Sequence, residues 1–195
     1  YVCTFSDITQ RKQAEEQIRY RADHDALTGL PNRALFADRL GSALAGASRH
    51  GHRFALLAVD LDYFKAVNDR FGHLAGDALL VETAARLRAC VRESDTVARL
   101  GGDEFAVILT EITGPADAEE VAARICASIA RPFALAEGEA RVSASVGITF
   151  GPNGDASLTL LQRRADRALY AVKHSGRGHY RIYDAARDGA VSDAA

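Results

Sequence analysis

The chain has 195 residues, of which 48% are hydrophobic, and a formal net charge of −2. This length predicts one full domain with a short appendage, and the apolar content is sufficient for a sizeable core. The near-neutral charge provides no general attraction to nucleic acid or to an anionic membrane surface. The apolar runs are only as long as strands, which excludes a membrane-spanning helix. The three cysteines lack metal-ligand spacing, and Cys90 and Cys126 are expected to be reduced, as in a cytoplasmic protein.

The first 22 residues differ in pattern from the rest of the chain. Residues 1–5 predict the end of a strand, and the polar segment from Asp7 to Arg21 predicts a helix with a thin apolar stripe. Two interpretations of this helix stay open: a solvated linker, or a short coiled-coil stalk that pairs with a second copy. Since the chain begins at Tyr1 and contains no methionine, we expect it to be part of a longer protein, which could be anchored in a membrane upstream.

From residue 23 onward, helical and strand patterns alternate. The predicted elements, in chain order, are a helix capped by Asn32, a strand over 54–60, a polar connection over 62–72, a long helix with a buried stripe ending at Val91, two strands over 96–100 and 104–109 joined by a Gly-Gly-Asp turn, a helix opened by Pro115, a strand over 142–148, a last helix over 158–172 and an edge strand over 180–183. Residues 185–195 are small and polar, and we expect a flexible tail.

This order of elements, βαββαβ, predicts an α+β fold with a palm or ferredoxin-like core. Its central sheet should contain antiparallel strands and be flanked by helices, with the N-terminal stalk helix outside. A right-handed crossover makes the first two strands parallel, and the hairpin folds the third strand back between them. Because the third strand then runs antiparallel to the first, Asp60 should lie beside Asp103 and Glu104.

The carboxylates at these strand ends indicate a metal site. Asp60 and Asp62 close one apolar strand, and Asp103 and Glu104 open another. Such groups are costly at the mouth of a buried strand unless a cation is present. Carboxylate oxygens suit Mg²⁺, which commonly bridges protein carboxylates to substrate phosphates. For Asp60 alone, the alternative is a strand-end carboxylate held by backbone donors.

Two further groups are ambiguous from the residues alone. Lys173 and Arg177 flank the end of the last helix, where they could stabilise the helix dipole or contact phosphates. Asp77 is placed on the same helical stripe as Leu80, at the rim of a buried face. It could be a first-turn acid favoured by the dipole, or it could accept hydrogen bonds from a purine edge with Asn68 nearby.

Across residues 23–184 the chain resembles the GGDEF domain of bacterial diguanylate cyclases. Five motifs in order carry the resemblance: DALTGLPNR at 25–33, DLDYFKAVND at 60–69, the segment 71–77, GGDEF at 101–105, and ADRALY at 165–170 with Lys173 and Arg177 after it. Residues 1–22, which include FSDIT at 5–9, resemble the end of a PAS sensor domain and its outgoing helix.

The resemblance implies an enzyme that condenses two GTP into cyclic di-GMP, releases two pyrophosphates and works as a homodimer of half-sites. It implies Mg²⁺, with Mn²⁺ as an alternative, on Asp60, the Leu61 carbonyl and Asp103. Glu104 would help to bind the metal or to deprotonate the attacking 3′-hydroxyl. The remaining implied roles are guanine recognition by Asn68 and Asp77, phosphate binding by Phe64, Lys65, Lys173 and Arg177, and room for the nucleotide at Gly101 and Gly102.

Arg92 and Asp95 match the family's RxxD product-inhibition site, at the family distance before Gly101. The resemblance implies that cyclic di-GMP binds there, away from the catalytic face. The structural alternative is an ordinary helix-end arginine followed by a strand-start aspartate.

Two other functions compete with the cyclase. One is a non-catalytic GGDEF module that senses GTP or cyclic di-GMP, against which the intact Asp103–Glu104 pair, Lys65 and Lys173 argue. The other is a different palm-type nucleotide cyclase or polymerase. Asn68 and Asp77 favour guanine, and the near-neutral charge argues against a nucleic-acid track.

Overall fold

The structure is a computed structural model of the chain and describes residue 12, residues 20–152 and residues 157–188. The predicted strand at residues 1–5, nearly all of the linker helix and the end of the tail lie outside the described residues. Residues 20–23 are helical and lead directly into the turn at 25–30.

Helices and strands alternate along the described chain. The helices are α1 Arg33–His50, α2 Phe64–Phe71, α3 His73–Ala89, α4 Pro115–Ile129, α5 Leu158–His174 and α6 Ala185–Asp188. The strands are β1 Arg53–Asp62, β2 Thr96–Gly101, β3 Glu104–Ile112, β4 Phe133–Leu135, β5 Gly138–Ala140, β6 Ser143–Gly151 and β7 Tyr180–Ile182. The predicted cap of α1 is confirmed, because the Asn32 side chain accepts hydrogen bonds from the Ala34 and Leu35 N–H groups.

The main sheet has the strand order β2-β3-β1-β6-β7. β3 lies between β1 and β2 and is antiparallel to both, as the connectivity predicted. β6 pairs antiparallel with the other side of β1, and β7 adds a parallel edge strand. The predicted α+β class, a mostly antiparallel central sheet flanked by helices, is therefore confirmed.

Successive residues of β1 point to opposite faces of this sheet and so enter two different cores. Phe54 and Leu56 pack in the cluster that contains Phe36 of α1 and Leu161 of α5. Ala55, Leu57 and Val59 pack in the larger cluster with residues of α3 and α4. Helices on both faces bury β1 from Phe54 to Asp62 except for the partly exposed Ala58, which fixes the position of the carboxylates that follow Val59.

Three segments differ from the sequence prediction. The polar connection after β1 contains a helix, α2, which begins after Tyr63 in the left-handed region (φ +64°) and buries Val67. The small β4–β5 hairpin was not predicted, because each of its strands has only three residues. Part of the expected flexible tail is ordered: α6 places Asp188 in a buried position, 2.9 Å from Arg181.

Candidate active site

The two acidic strand ends meet at one edge of the sheet. Asp60 of β1 is paired in register with Glu104 of β3, and the Leu61 N–H donates to the Asp103 carbonyl at 3.3 Å. This convergence confirms the prediction from topology. Glu104 is exposed and lies 3.8 Å from Nη2 of Arg33, whereas Asp103 is half-buried in the turn.

Asp60 is held by a cation from another element. Lys173, in the last turn of α5, places its Nζ 2.7 Å from Oδ2 of Asp60, whose side chain is only 10% exposed. Burial raises the pKa of Asp60, the Lys173 ammonium opposes that effect, and the charges of Asp103 and Asp62 add to it. The influence of Asp103 on this pKa shows that the two carboxylates share one electrostatic environment.

Asp62 lies two residues away but has a different environment. It is buried, and its carboxylate accepts hydrogen bonds from Ser143 Oγ at 2.7 Å, from Ser145 Oγ at 2.8 Å and from the Gly178 N–H at 3.1 Å. These donors come from β6 and from the turn after α5, so Asp62 fastens both to the end of β1. Because these donors satisfy the Asp62 carboxylate within the chain, Asp60 is the better candidate of the two for a metal ligand.

The turn after α5 orients Arg177 toward this edge. Arg177 adopts a left-handed backbone (φ +61°), and its Nε lies 3.8 Å from Oδ1 of Asp62. Its guanidinium is 5.5 Å from the centroid of the Tyr63 ring. Since the side chain is still 44% exposed, its remaining donors are accessible to an anion.

The helices α2 and α3 form a second wall beside the carboxylates. Lys65 is exposed, Phe64 is half-buried against the core, and Asn68 is half-buried with its Oδ1 fully enclosed. Within the described part of the chain, that oxygen has no hydrogen-bond partner. Asp77 is exposed on α3, three residues before the buried Leu80.

Gly76 makes room for the Asn68 side chain. A Cβ atom at position 76 would overlap Oδ1 of Asn68 and would lie 2.9 Å from its Cγ. The absence of a side chain at Gly76 therefore lets the Asn68 amide lie against α3. Nothing in the spacing of the sequence identifies this contact, because Gly76 appears there only as a helix residue of low propensity.

The glycine turn between β2 and β3 is clamped from the segment before α1. Gly101 and Gly102 both have positive φ, +146° and +52°, which favours glycine. The Gly102 carbonyl accepts from Nε and Nη2 of Arg99 at 3.0 and 2.9 Å, and Nη1 of Arg99 contacts Asp25 at 3.0 Å. Arg33 adds a hydrogen bond to the Leu100 carbonyl at 3.1 Å. Sequence reasoning did not identify these anchors of the turn.

The donor set at the edge fits a hard divalent cation. Asp60, Asp103 and the adjacent backbone of Leu61 offer oxygen ligands, and Mg²⁺ commonly takes only one or two protein carboxylates and completes its shell with water and phosphate. Among residues 20–152 and 157–188, no group of three or more His, Cys, Asp or Glu side chains has a metal-binding arrangement. The residues therefore suit a metal shared with a phosphate-bearing ligand better than a metal enclosed by protein alone.

Asp95 already has partners within its own chain. Its carboxylate accepts from the Arg92 N–H at 3.0 Å and from the Thr110 N–H at 3.0 Å. The structural alternative for Asp95, a strand-start aspartate with local donors, is thus present in the structure. Arg92 is exposed beside it.

A family model described as "Diguanylate cyclase, GGDEF domain" matches residues 22–179. The chain belongs to this family. The bifunctional diguanylate cyclase/cyclic di-GMP phosphodiesterase MucR of Pseudomonas aeruginosa is 46% identical over 176 residues, which are 90% of this chain and 26% of MucR. The chain spans 24% to 38% of the length of four curated relatives.

Solved GGDEF domains have the same fold. That of TpbB (YfiN) from P. aeruginosa is 46% identical, with a TM-score of 0.80, and the match covers 83% of this chain and 94% of that one. The coiled coil and GGDEF domain of DgcB from Caulobacter crescentus, solved in complex with cyclic di-GMP, is 29% identical with a TM-score of 0.84, covering 90% of this chain and 93% of that one. None of the helices in the described part of this GGDEF chain is long and apolar enough to cross a membrane.

Proposed function

We propose that this GGDEF domain is a diguanylate cyclase that condenses two GTP into cyclic di-GMP with release of two pyrophosphates. The observation that carries this proposal is the pairing of Asp60 with Glu104 at a sheet edge that Lys173 and Arg177 reach from α5. Phosphoryl transfer requires positioned substrates and neutralised charge more than covalent protein chemistry. Carboxylates beside cations at an accessible edge provide both.

Asp60, the Leu61 carbonyl and Asp103 hold Mg²⁺, or Mn²⁺, with help from Glu104. A divalent metal held there would supply neutralisation of charge on the triphosphate. Lys173 neutralises Asp60 in this structure, and its ammonium would contact a phosphate if a metal took over the charge of that carboxylate. Glu104 is exposed and can accept the proton of the attacking 3′-hydroxyl.

The guanine base lies against α2 and α3. Asn68 is half-buried on α2, and its side-chain amide offers both donors and an acceptor to the edge of a guanine base. The exposed carboxylate of Asp77 accepts from the guanine N1–H and N2–H groups. Phe64, Lys65, Lys173 and Arg177 hold the phosphates, and Gly101 and Gly102 let the nucleotide approach the backbone of the turn.

The identity of the products tests this function. The purified chain is incubated with Mg²⁺ and either GTP or ATP, and the products are separated and identified. We expect cyclic di-GMP and pyrophosphate from GTP, and no cyclic product from ATP. Tight GTP binding without turnover would support the sensor module instead. A linear or ATP-derived product would support another palm-type enzyme.

The activity should depend on the association of two domains. Each domain has one GTP site, so two domains must face each other before a 3′-hydroxyl can attack the opposing α-phosphate. Specific activity should therefore rise with protein concentration, and a parallel coiled coil fused in register before Ile8 should raise it further by increasing the effective concentration. A rate strictly linear in enzyme concentration, with a monomer in sedimentation under assay conditions, would contradict the homodimer.

Product inhibition is assigned to Arg92 and Asp95. Arginine offers a planar fork to a phosphate or to the Hoogsteen edge of guanine. Replacing Arg92 with alanine should weaken binding of cyclic di-GMP and raise the amount of product that accumulates, without weakening GTP binding. Calorimetric titration of that variant measures both affinities.

A further inference from the structure

Three residues other than glycine have a positive φ in the part of the chain that the structure describes: Tyr63 at +64°, Glu111 at +53° and Arg177 at +61°. The left-handed region is costly for a residue with a Cβ atom, so such residues often mark functional positions. Glu111 lies near the end of β3, at the opposite end of that strand from Glu104. Tyr63 and Arg177 belong to two different loops, yet the Arg177 guanidinium lies over the Tyr63 ring.

The position of Tyr63 in the backbone does not account for its side chain. Tyr63 is the N-cap of α2, but its side chain makes no capping hydrogen bond. Glycine would adopt the same left-handed conformation at lower cost. Tyr63 is also 64% exposed, so burial of the ring in the core does not explain it. The ring instead contacts the Arg177 guanidinium, 5.5 Å from its centroid, which is within the range of a cation–π interaction.

The backbone of Arg177 closes the end of α5. Its N–H donates to the Val172 carbonyl at 3.2 Å, in a left-handed conformation that glycine usually provides after a helix. The neighbours Gly176 and Gly178 both have positive φ, so Arg177 is the residue of this turn that keeps a side chain. Its Nε lies 3.8 Å from Asp62, a distance that allows charge attraction but is too long for a hydrogen bond. Asp62 therefore attracts the guanidinium without fixing the direction of its fork.

The Tyr63 ring supplies the orientation that Asp62 does not. A guanidinium that lies over an aromatic face is held there electrostatically, and its donors are preorganised for an anion. We propose that Tyr63 is a positioning residue for Arg177, and that its ring holds the guanidinium where the fork meets the phosphates of GTP. This inference rests on the proposed function, in which Arg177 binds phosphate. It gives a role to a side chain that the sequence motifs leave without one, and it explains why two costly backbone conformations occur in contact.

The first test detects the contact without any nucleotide. The Nε–H signal of Arg177 is recorded by two-dimensional nitrogen–proton NMR of the whole chain and is assigned by its loss in Arg177→Ala. In Tyr63→Leu the signal should move, because the shielding by the aromatic ring is lost, whereas in Tyr63→Phe it should stay close to the parent position. The two variants are matched, since each keeps a Cβ atom in the left-handed conformation. An unchanged signal in Tyr63→Leu would refute the contact.

The second test measures the affinity for 3′-deoxy-GTP with Mg²⁺ by calorimetry, because this analogue lacks the attacking hydroxyl and is not consumed. Tyr63→Leu should weaken binding about threefold, the value of one exposed cation–π contact, and Tyr63→Phe should stay within about twofold of the parent. Arg177→Ala should weaken binding about tenfold, as expected for one charge-assisted contact. If Tyr63 acts through Arg177, Tyr63→Leu should have no further effect in the Arg177→Ala background. Additive losses would show that Tyr63 acts independently and would overturn the inference.

Tyr170→Leu is the matched control. Tyr170 is 58% exposed, and its ring packs on His174 with centroids 3.9 Å apart rather than on an arginine. The same change there should leave the affinity for 3′-deoxy-GTP within about twofold of the parent. An equal loss in Tyr63→Leu and Tyr170→Leu would indicate a general effect of removing an exposed ring and would overturn the inference. The melting temperature is measured for every variant, and a lower Tm with unchanged affinity in Tyr63→Leu would show that the ring only stabilises the start of α2.

These measurements separate the positioning role of Tyr63 from the proposed function. If the effects of Tyr63→Leu appear but GTP yields no cyclic di-GMP, the proposed function fails and the positioning role stands. If cyclic di-GMP is formed and Tyr63→Leu binds 3′-deoxy-GTP like the parent, the positioning role is refuted and the proposed function stands. A parent chain that does not bind 3′-deoxy-GTP would refute both.

Discussion

The two carboxylates at the end of β1 differ in their partners. Asp62 is enclosed and its oxygens accept from two serine hydroxyls and a backbone N–H. Asp60 is nearly as buried, yet its partner is the ammonium of Lys173, at the end of a flexible side chain. A second acid, Asp103, is close enough to raise the pKa of Asp60. One carboxylate accepts hydrogen bonds from three neutral donors within the chain, with the Arg177 guanidinium 3.8 Å away, and the other has a cation that a ligand can replace.

This contrast separates structural from functional polar groups elsewhere in the domain. Asp25 resembles Asp62, because it is half-buried and satisfied by Thr28 and Arg99. Asn68 differs from both Asp62 and Asp25, because its buried oxygen lacks a hydrogen-bond partner in the described chain. A buried polar group without a partner is costly, which makes Asn68 a candidate for a functional role.

The largest expected effect is the loss of catalysis when a carboxylate of the proposed metal site is replaced. Asp60→Asn or Asp103→Asn should lower the turnover of GTP by at least about a thousandfold, since each removes a metal-binding charge and several kcal/mol of transition-state stabilisation. Side-chain volume is nearly unchanged, and Lys173 is accessible to water when its partner is neutral. The free energy of unfolding should therefore change by less than about 1 kcal/mol.

Turnover is measured as cyclic di-GMP formed with Mg²⁺ as the only divalent metal, and stability is measured by urea unfolding of the same preparations. Near-normal turnover in either variant would contradict the metal assignment. A large loss of stability with the activity would show that Asp60 is structural, like Asp62.

Asp62→Ala should have the reverse profile. It leaves the hydroxyls of Ser143 and Ser145 and the N–H of Gly178 without their acceptor, and should cost about 3 kcal/mol of unfolding free energy. Ser143→Ala removes one donor from the same network and should cost only about 1 kcal/mol. Urea unfolding provides both values. A stable Asp62→Ala protein that has lost only activity would show that Asp62 acts in catalysis after all.

The sequence was sufficient to predict that Asp60 and Glu104 lie side by side, because strand periodicity, the hairpin and a right-handed crossover leave few alternative topologies. It did not separate Asp60 from Asp62, because the donors that satisfy Asp62 lie 81 to 116 residues away. The pairing of Asp25 with Arg99, 74 residues apart, was hidden for the same reason. Local pattern predicts which strand a carboxylate ends, but not which distant donors reach it.

The contacts of Arg99 with Asp25 and with the Gly102 carbonyl of the glycine turn allow a smaller, pH-dependent test. Burial raises the pKa of Asp25, but hydrogen bonds from Thr28 and the charge of Arg99 outweigh it, so the pKa of Asp25 is lowered overall. A carboxyl whose pKa is lower in the folded state stabilises the fold above its unfolded pKa and loses that contribution as the pH falls through its folded pKa. Asp25→Asn should therefore cost about 1 to 2 kcal/mol at pH 7.

The difference in unfolding free energy between Asp25→Asn and the parent should persist at pH 5. It should narrow below about pH 3.9, the ordinary pKa of aspartate. Urea midpoints across that range measure it. Because Arg99 also holds the Gly102 carbonyl beside Asp103, turnover at pH 7 should fall as well, though far less than in Asp60→Asn. A stability difference that grows as the pH falls would contradict the assigned ion pair.

The smallest effect, and the sharpest control, comes from two helical glycines. Gly46 in α1 has open space around the position of a Cβ atom, so Gly46→Ala should stabilise the protein by about 0.5 to 1 kcal/mol through helix propensity alone. Gly76→Ala in α3 gains the same propensity but overlaps the side chain of Asn68, which must move.

If the Asn68 amide recognises guanine, the KM for GTP should rise about tenfold in Gly76→Ala, the effect of one lost hydrogen bond to the base, and stay unchanged in Gly46→Ala. Steady-state kinetics and urea unfolding on both variants separate the two contributions, because propensity acts on stability alone. An unchanged KM in Gly76→Ala would mean that Asn68 is a structural amide, and its unpartnered oxygen would then belong with Asp62 on the structural side of the comparison.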